Sequence, residues 1–361
     1  MTPIASLKTD ILWADIQAQA ENMRRVIAHL YGPERPRLTA AARFMANDRP
    51  TAFIGMGSAA YLCMPAEAYL AENGRFASTL YAAEALYVRL PALRGANVIL
   101  NTRSGQTVEL VKLAEALTGA GIPFVAITNE PDSPVARLAT HVVWSNTRKD
   151  DLVSINVVTA MMATTLLLAA ESLGQADALR PAFAALADGL ADAVGRATQA
   201  ADALADLFEP IRPIHLLYRG ASQGAAYCGR LALEEIGRHP GVPFDVSDFR
   251  QGPIEVADER FGAVVFAPDG ELGRLSLGLA GQLAAVGGRI MAIGSAAGLA
   301  ACPAGVYRFP VAPLPAPLRP VLEVVPLQLL AYTLAARQGY TPGTVRFIAK
   351  VITSETEMAG L

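Results

Sequence analysis

The residues best suited to chemistry lie between Asn97 and Leu117, NVILNTRSGQTVELVKLAEAL. Thr102, Ser104 and Thr107 offer three hydroxyls there, and Gly105 removes a Cβ from the path of an approaching ligand. Asn97-Val98-Ile99-Leu100 reads as a buried parallel strand, and Val108, Val111, Leu113 and Leu117 recur at helical spacing. The hydroxyls therefore occupy a turn that leaves the carboxyl end of a strand and opens a helix. Free N–H groups and the positive end of the helix dipole meet at such a turn, which suits it to an anion such as phosphate. The plainer reading is an ordinary cap, with Ser104 or Thr107 satisfying the first amides. One cap needs one hydroxyl, and this turn supplies three.

Three further places invite a chemical reading. Gly55-Met-Gly-Ser58 follows a strand at Thr51–Ile54, and Gly57 and Ser58 would let a ligand approach the backbone closely, although this pattern is common by itself. Of the 30 basic residues only Lys8, Lys112, Lys149 and Lys350 are lysine, so the chain uses arginine wherever a plain positive charge suffices. Lys350 is either a solubilising tail charge or an amine whose neutral form acts as a nucleophile, which an arginine cannot do. Glu235 is either a solvated helix-face glutamate beside Glu234 or, among Leu231, Leu233 and Ile236, a carboxyl whose pKa burial raises toward proton shuttling.

The elements that would position these groups alternate strand and helix. Helices are expected over 10–30 and near Leu38–Ala46, and strands at Thr51–Ile54, Ala85–Arg89, Asn97–Leu100, Phe124–Thr128 and His141–Trp144. That rhythm gives a doubly wound parallel sheet with ligands at the carboxyl ends of its strands. Residues Ala176–Phe208 read as a helical connector. The pattern then recurs: Gly220 follows Gly57 at an offset of 163, while Val264-Val-Phe266 and Ala292-Ile-Gly294 follow their counterparts at 166. The expected architecture is two tandem doubly wound, flavodoxin-like α/β domains flanked by helices. Their bounds are 1–180, a connector at 181–212, a second domain at 213–345 and a tail at 346–361. The second copy has Pro268-Asp-Gly-Glu271 where the first has its hydroxyls, so one phosphate site per chain is expected, in the first domain.

Composition narrows the function classes. The chain has 361 residues, 52% hydrophobic and 17% charged, enough for two ordinary cores. A net charge of −3 gives no basic surplus for nucleic acid or an anionic membrane. Cys63, Cys228 and Cys302 are odd in number and far apart, which points to a reducing compartment and away from a disulfide framework or a zinc site. Lys8 and Asp10 stand where a signal peptide needs an apolar core, and the 14-residue run Val157–Ala170 is short for a bilayer. A cytoplasmic protein is expected.

Gly55-Met-Gly-Ser58, Asn101-Thr-Arg-Ser-Gly-Gln-Thr-Val-Glu109 and the tandem arrangement resemble the sugar isomerase (SIS) family, most closely the isomerase half of glucosamine-6-phosphate synthase and its stand-alone relatives. Ser154-Ile-Asn-Val-Val-Thr159, Leu233-Glu-Glu-Ile236, Phe249-Arg-Gln-Gly-Pro-Ile254, Val325-Pro-Leu-Gln-Leu-Leu-Ala-Tyr332 and Arg346-Phe-Ile-Ala-Lys350 extend the resemblance along nearly the whole chain. It implies that Ser58, Thr102, Arg103, Ser104 and Thr107 hold the phosphate of a hexose phosphate, with Arg103 where the synthase has glutamine. Ser154 and the backbone near Leu152 and Ala349 would touch the sugar. Glu235 would move a proton between C1 and C2, and Lys350 would form a Schiff base with the open-chain keto sugar, without metal or organic cofactor. A homodimer sharing its site between chains is also implied, with Phe249–Ile254 crossing over.

The departures bear on mechanism. The family's ring-opening histidine is Gln251 here, which can hydrogen-bond a ring oxygen but cannot exchange a proton near neutral pH. The synthase lysine one turn before the catalytic glutamate is Ala232. Of the four histidines, His239 is near Gln251 in sequence and is the candidate substitute. The chain starts Met1-Thr2 without an N-terminal cysteine nucleophile, so no glutaminase activity is expected. The leading expectation is a phosphosugar isomerase, or an amino-sugar-phosphate deaminase or deglycase. A sugar-phosphate-binding regulator without turnover is the alternative, and a structural partner of another SIS chain is a third. A DNA-binding form is not expected, since residues 1–50 are neither basic nor long enough for a separate helix-turn-helix domain.

Overall fold

The computed structural model describes residues 10–356; Lys8 and the Met1-Thr2 start lie outside the described residues. The chain divides into two compact units. One holds Glu21–Asp150, Ser154–Ala184 and the tail from Val345; the other holds the N-terminal segment to Ala20, Asp151–Val153 and Ala185–Thr344. The Ala176–Phe208 helix contributes residues to both.

In the unit that carries the turn, β1 (Thr51–Gly55), β2 (Ala77–Tyr81), β3 (Asn97–Thr102), β4 (Phe124–Thr128) and β5 (His141–Trp144) form a parallel sheet in the order β2-β1-β3-β4-β5. β1, β3 and β4 are buried from end to end, which is why each shows as an unbroken apolar run. The strand expected at Ala85–Arg89 is instead a helix, Ala82–Tyr87, and its turn. Ala82 and Ala85 are fully buried while Ala83 and Glu84 between them are only partly covered, a three-residue spacing that suits a helix and not a strand. The edge strand β2 lies earlier and is only partly covered.

Val98, Leu100, Ile54, Leu110, Leu113 and Phe124 belong to one apolar cluster between the sheet and its helices. The Asn156–Ser172 helix is buried on every side from Asn156 to Ala170, so its apolar run belongs to the protein interior. Asn101 at the end of β3 donates through its side-chain amide to Thr165 of that helix at 2.8 Å, fixing strand and helix in register. The stretch 10–30 forms two helices, Ile11–Gln17 and Gln19–Tyr31, interrupted at Ala18.

The other unit holds β6 (Ile214–Tyr218), β7 (Gly241–Asp245), β8 (Gly262–Ala267), β9 (Arg289–Ser295) and β10 (Val306–Val311), again parallel and in the order β10-β9-β8-β6-β7. Each sheet therefore has its first strand between its second and third, the order of flavodoxin-like sheets. Each has a crevice where the winding reverses, between β1 and β3 and between β6 and β8. One helical stretch among the described residues, Ala316–Arg337, has the length and apolar composition to cross a membrane, and its most apolar window is wholly buried in the fold. Cys63, Cys228 and Cys302 are buried and form no disulfide among the described residues.

Candidate phosphate site

The hydroxyl-rich turn begins where β3 ends and finishes where the Val108–Gly119 helix starts, on the β3 side of the reversal point. Thr102 Oγ1 accepts the Gly105 N–H at 3.1 Å, and Ser104 Oγ accepts the Gln106 N–H at 3.2 Å. These two hydroxyls shape the loop with their lone pairs, and an acceptor oxygen keeps its own O–H to donate to a ligand. Gly105 has φ +61°, and a Cβ added there would lie 1.9 Å from Ser133 Oγ. Only glycine meets both demands. Ser133 is itself fixed, since it caps the Pro134–Leu138 helix by accepting from Ala136.

Neither candidate hydroxyl caps the Val108–Gly119 helix. Thr107 makes no side-chain capping bond, and Ser104 spends its oxygen on Gln106, before the helix begins. The Val108 N–H is taken instead by the carbonyl of Ile352 in the C-terminal tail at 3.0 Å. Arg103 also turns to the tail: its guanidinium donates to the Lys350 carbonyl and, at 3.2 Å, to Ser154 Oγ. Thr102, Arg103, Ser104, Thr107, Ser154 and the backbone of Lys350 thus meet around one turn.

On the β1 side of the reversal point, Gly55 packs so closely that a Cβ would sit 2.4 Å from the Ala59 carbonyl carbon. Gly57, at φ +53°, has open space above it, and Ser58 starts the short Ser58–Tyr61 helix. Both glycines are thus required by the backbone. Sequence reasoning missed Asp150, which is 1% exposed. Its carboxylate accepts from the N–H groups of Ile155, Asn156 and Val157 at 2.9, 2.9 and 3.0 Å, filling the anion position of the Asn156–Ser172 helix and fixing the chain after Ser154. An acidic residue ahead of a long apolar helix was the available signal. A surface hollow of about 380 Å³ elsewhere in this unit, lined by Arg37, Asp132 and His141, shares no residue with the turn.

Glu235 and Gln251 belong to the other unit. Glu235 ends the Gln223–Glu235 helix and is partly buried, while Glu234 pairs with Arg230 at 3.0 Å. Gln251 is exposed in the loop after Phe249, whose buried ring packs against His215 and Phe261, each 5.7 Å away. His239 is fully buried with Nε2 on the Ile211 carbonyl, and burial lowers its pKa, so it serves the core rather than an exposed site. Among the described residues, no group of three His, Cys, Asp or Glu side chains is arranged to hold a metal ion.

A parallel α/β unit with this turn at its reversal point has its candidate ligand site where open α/β sheets bind ligands, at the carboxyl ends of the strands. Residues 44–171 match the SIS domain. Over 262 residues it is 26% identical to the glutamine–fructose-6-phosphate aminotransferase [isomerizing] of Pyrobaculum aerophilum, covering 70% of this chain and 43% of that protein. The chain thus spans less than half the length of that relative. In fold it is similar to glucosamine-6-phosphate deaminase from Thermotoga maritima (TM-score 0.76, 17% identity, 95% of this chain and 99% of that one). It is equally similar to tagatose-6-phosphate ketose/aldose isomerase from Escherichia coli (TM-score 0.76, 19% identity, 95% and 97%).

Proposed function

We propose that this chain is a phosphosugar isomerase, or an amino-sugar-phosphate deaminase or deglycase, acting on a hexose 6-phosphate type of substrate. The observation that carries the reading is the turn from Thr102 to Thr107: two hydroxyls accept loop N–H groups and keep O–H donors for an anion, directly against the tail that bears Lys350. In this reading Gly57, Ser58, Thr102, Arg103, Ser104 and Thr107 hold the phosphate, and Ser154 contacts the sugar. Lys350 condenses with the C2 carbonyl, losing water to give an imine, which acidifies the C1 proton. The resemblance assigns that proton's transfer between C1 and C2 to Glu235, and a hydrogen bond to the ring oxygen to Gln251. The two solved structures of similar fold are named as a glucosamine-6-phosphate deaminase and a tagatose-6-phosphate ketose/aldose isomerase, the two reaction classes proposed here. We further take the working form to be a cytoplasmic homodimer.

Borohydride reduction with fructose 6-phosphate, read by mass spectrometry, tests this reading. An adduct on Lys350, with exchange of the C1 hydrogen that is lost in Glu235→Gln, is the expected result. A second reading, a regulator that binds a sugar phosphate without turnover, is favoured by Gln251 in place of a titratable histidine. Phosphate-dependent binding with neither adduct nor exchange would establish it.

A further inference from the structure

Beyond Lys350 the tail makes a contact that the reading above leaves unused. Glu355 Oε1 lies 2.8 Å from Lys112 Nζ in the Val108–Gly119 helix, and both carboxylate oxygens are 2.9 Å from the Tyr87 hydroxyl. Lys112 stands one helical turn beyond Val108, on the same face. The tail is thus held at three successive places: Lys350 carbonyl by Arg103, Ile352 carbonyl by the Val108 N–H, and Glu355 by Lys112 and Tyr87.

The first two grips hold main-chain carbonyls, which every residue has, so they would accept the tail in more than one register. The third holds a side chain and does not. Sliding the segment by one residue would bring a different side chain to each grip and re-aim the others. Whatever fixes the register of 350–355 therefore fixes the side from which the Lys350 amine emerges. Lys112 is one of the four lysines in an arginine-rich chain, and its compact ammonium suits a carboxylate that must also take a phenol hydrogen.

We propose that Glu355 is a positioning residue: docked on Lys112 and Tyr87, it sets the register of the tail against the turn and thereby the presentation of the Lys350 amine. This rests on the isomerase reading, and its test separates the two. The full chain and its Glu355→Gln and Lys112→Ala variants are exposed briefly to trypsin, with cleavage after Lys350 followed by mass spectrometry. Each is also trapped with fructose 6-phosphate and borohydride, and titrated with inorganic phosphate.

Both variants should be cleaved about three- to fivefold faster and trapped slower by a similar factor, the size an exposed ion pair with one added hydrogen bond supports. Thermal midpoint and inorganic phosphate affinity should stay unchanged. Unchanged cleavage overturns the proposal, as does faster cleavage with undiminished trapping, or a parallel loss of phosphate affinity that marks general damage. If the unaltered chain gives no adduct, the isomerase reading fails and the positioning role with it, while the cleavage rates still report whether the clasp exists.

Discussion

The guanidinium of Arg103 donates to the main-chain carbonyl of Lys350, joining the first residue beyond β3 to the tail. The same side chain reaches Ser154 Oγ, so one cation links the turn, the tail and the segment that opens the Asn156–Ser172 helix. Arg103→Ala removes two hydrogen bonds of the tail and the segment without emptying any core position. Amide exchange at Val108, whose N–H is held by the Ile352 carbonyl, should rise about fivefold, the worth of about 1 kcal/mol for a partly exposed charged hydrogen bond. Exchange mass spectrometry on the peptide containing Val108 reads this directly, and an unchanged rate there would show that the tail does not depend on Arg103.

Gly105→Ala tests the turn itself. The substitution meets two penalties, a left-handed backbone at φ +61° and a Cβ placed 1.9 Å from Ser133 Oγ. Together they should cost about 2–3 kcal/mol and open the Thr102–Gly105 hydrogen bond. Chemical denaturation gives the first quantity, and loss of inorganic phosphate binding gives the second. A Gly105→Ala/Ser133→Gly double variant removes the collision but keeps the backbone strain, so it should recover part of the stability and not all.

The sequence made some of this legible and hid the rest for physical reasons. β1, β3, β4, β6, β8 and β9 sit inside the sheets, covered on both faces, and therefore stand out as apolar runs. β2, β7 and β10 are edges, only partly buried, and β7 and β10 contain Pro243 and Pro310, which argue against a strand on sequence grounds. The turn was legible because its three hydroxyl residues fall within six positions, Thr102 to Thr107. The cap on Val108 was not, because a main-chain carbonyl from Ile352 supplies it and carbonyls carry no residue signature. For the same reason Arg103 and Lys350 could be named separately, while their contact could not be foreseen.

Asp150→Ala should weaken the unit that holds the turn. Its carboxylate serves three successive N–H groups at the start of the Asn156–Ser172 helix and also takes the Asn156 side-chain amide at 2.9 Å. Removing it strands several buried donors at the positive end of a helix, worth about 2–3 kcal/mol. Urea denaturation should show that loss. Ser154 lies between Asp150 and the helix, so borohydride trapping should also slow, whereas an ordinary surface Asp→Ala change would move neither measurement.

Stability should depend on pH through a buried carboxyl in the other unit. Glu323, at the end of the Pro320–Glu323 helix, is fully buried, and its carboxyl is faced by Arg319 and the Ser222 hydroxyl. Burial pushes its carboxyl up to about 7, against the opposing pulls of the Ser222 hydroxyl and of Arg319, whose own charge is paired with Asp269 at 2.8 Å. In the unfolded chain the same group releases its proton near 4.5. Between those values the folded state binds more protons than the unfolded one, so this group makes stability fall as pH rises, with the full cost present above about 7. At about 1.4 kcal/mol per unit the difference approaches roughly 3 kcal/mol. Glu323→Gln keeps the shape and cannot ionise. It should match the unaltered chain at about pH 4.5 and exceed it by roughly 2–3 kcal/mol at about pH 8 in urea denaturation. A gap that stays constant across this range would mean that Glu323 is not protonated on folding, and that Arg319 is compensating a buried carboxylate instead.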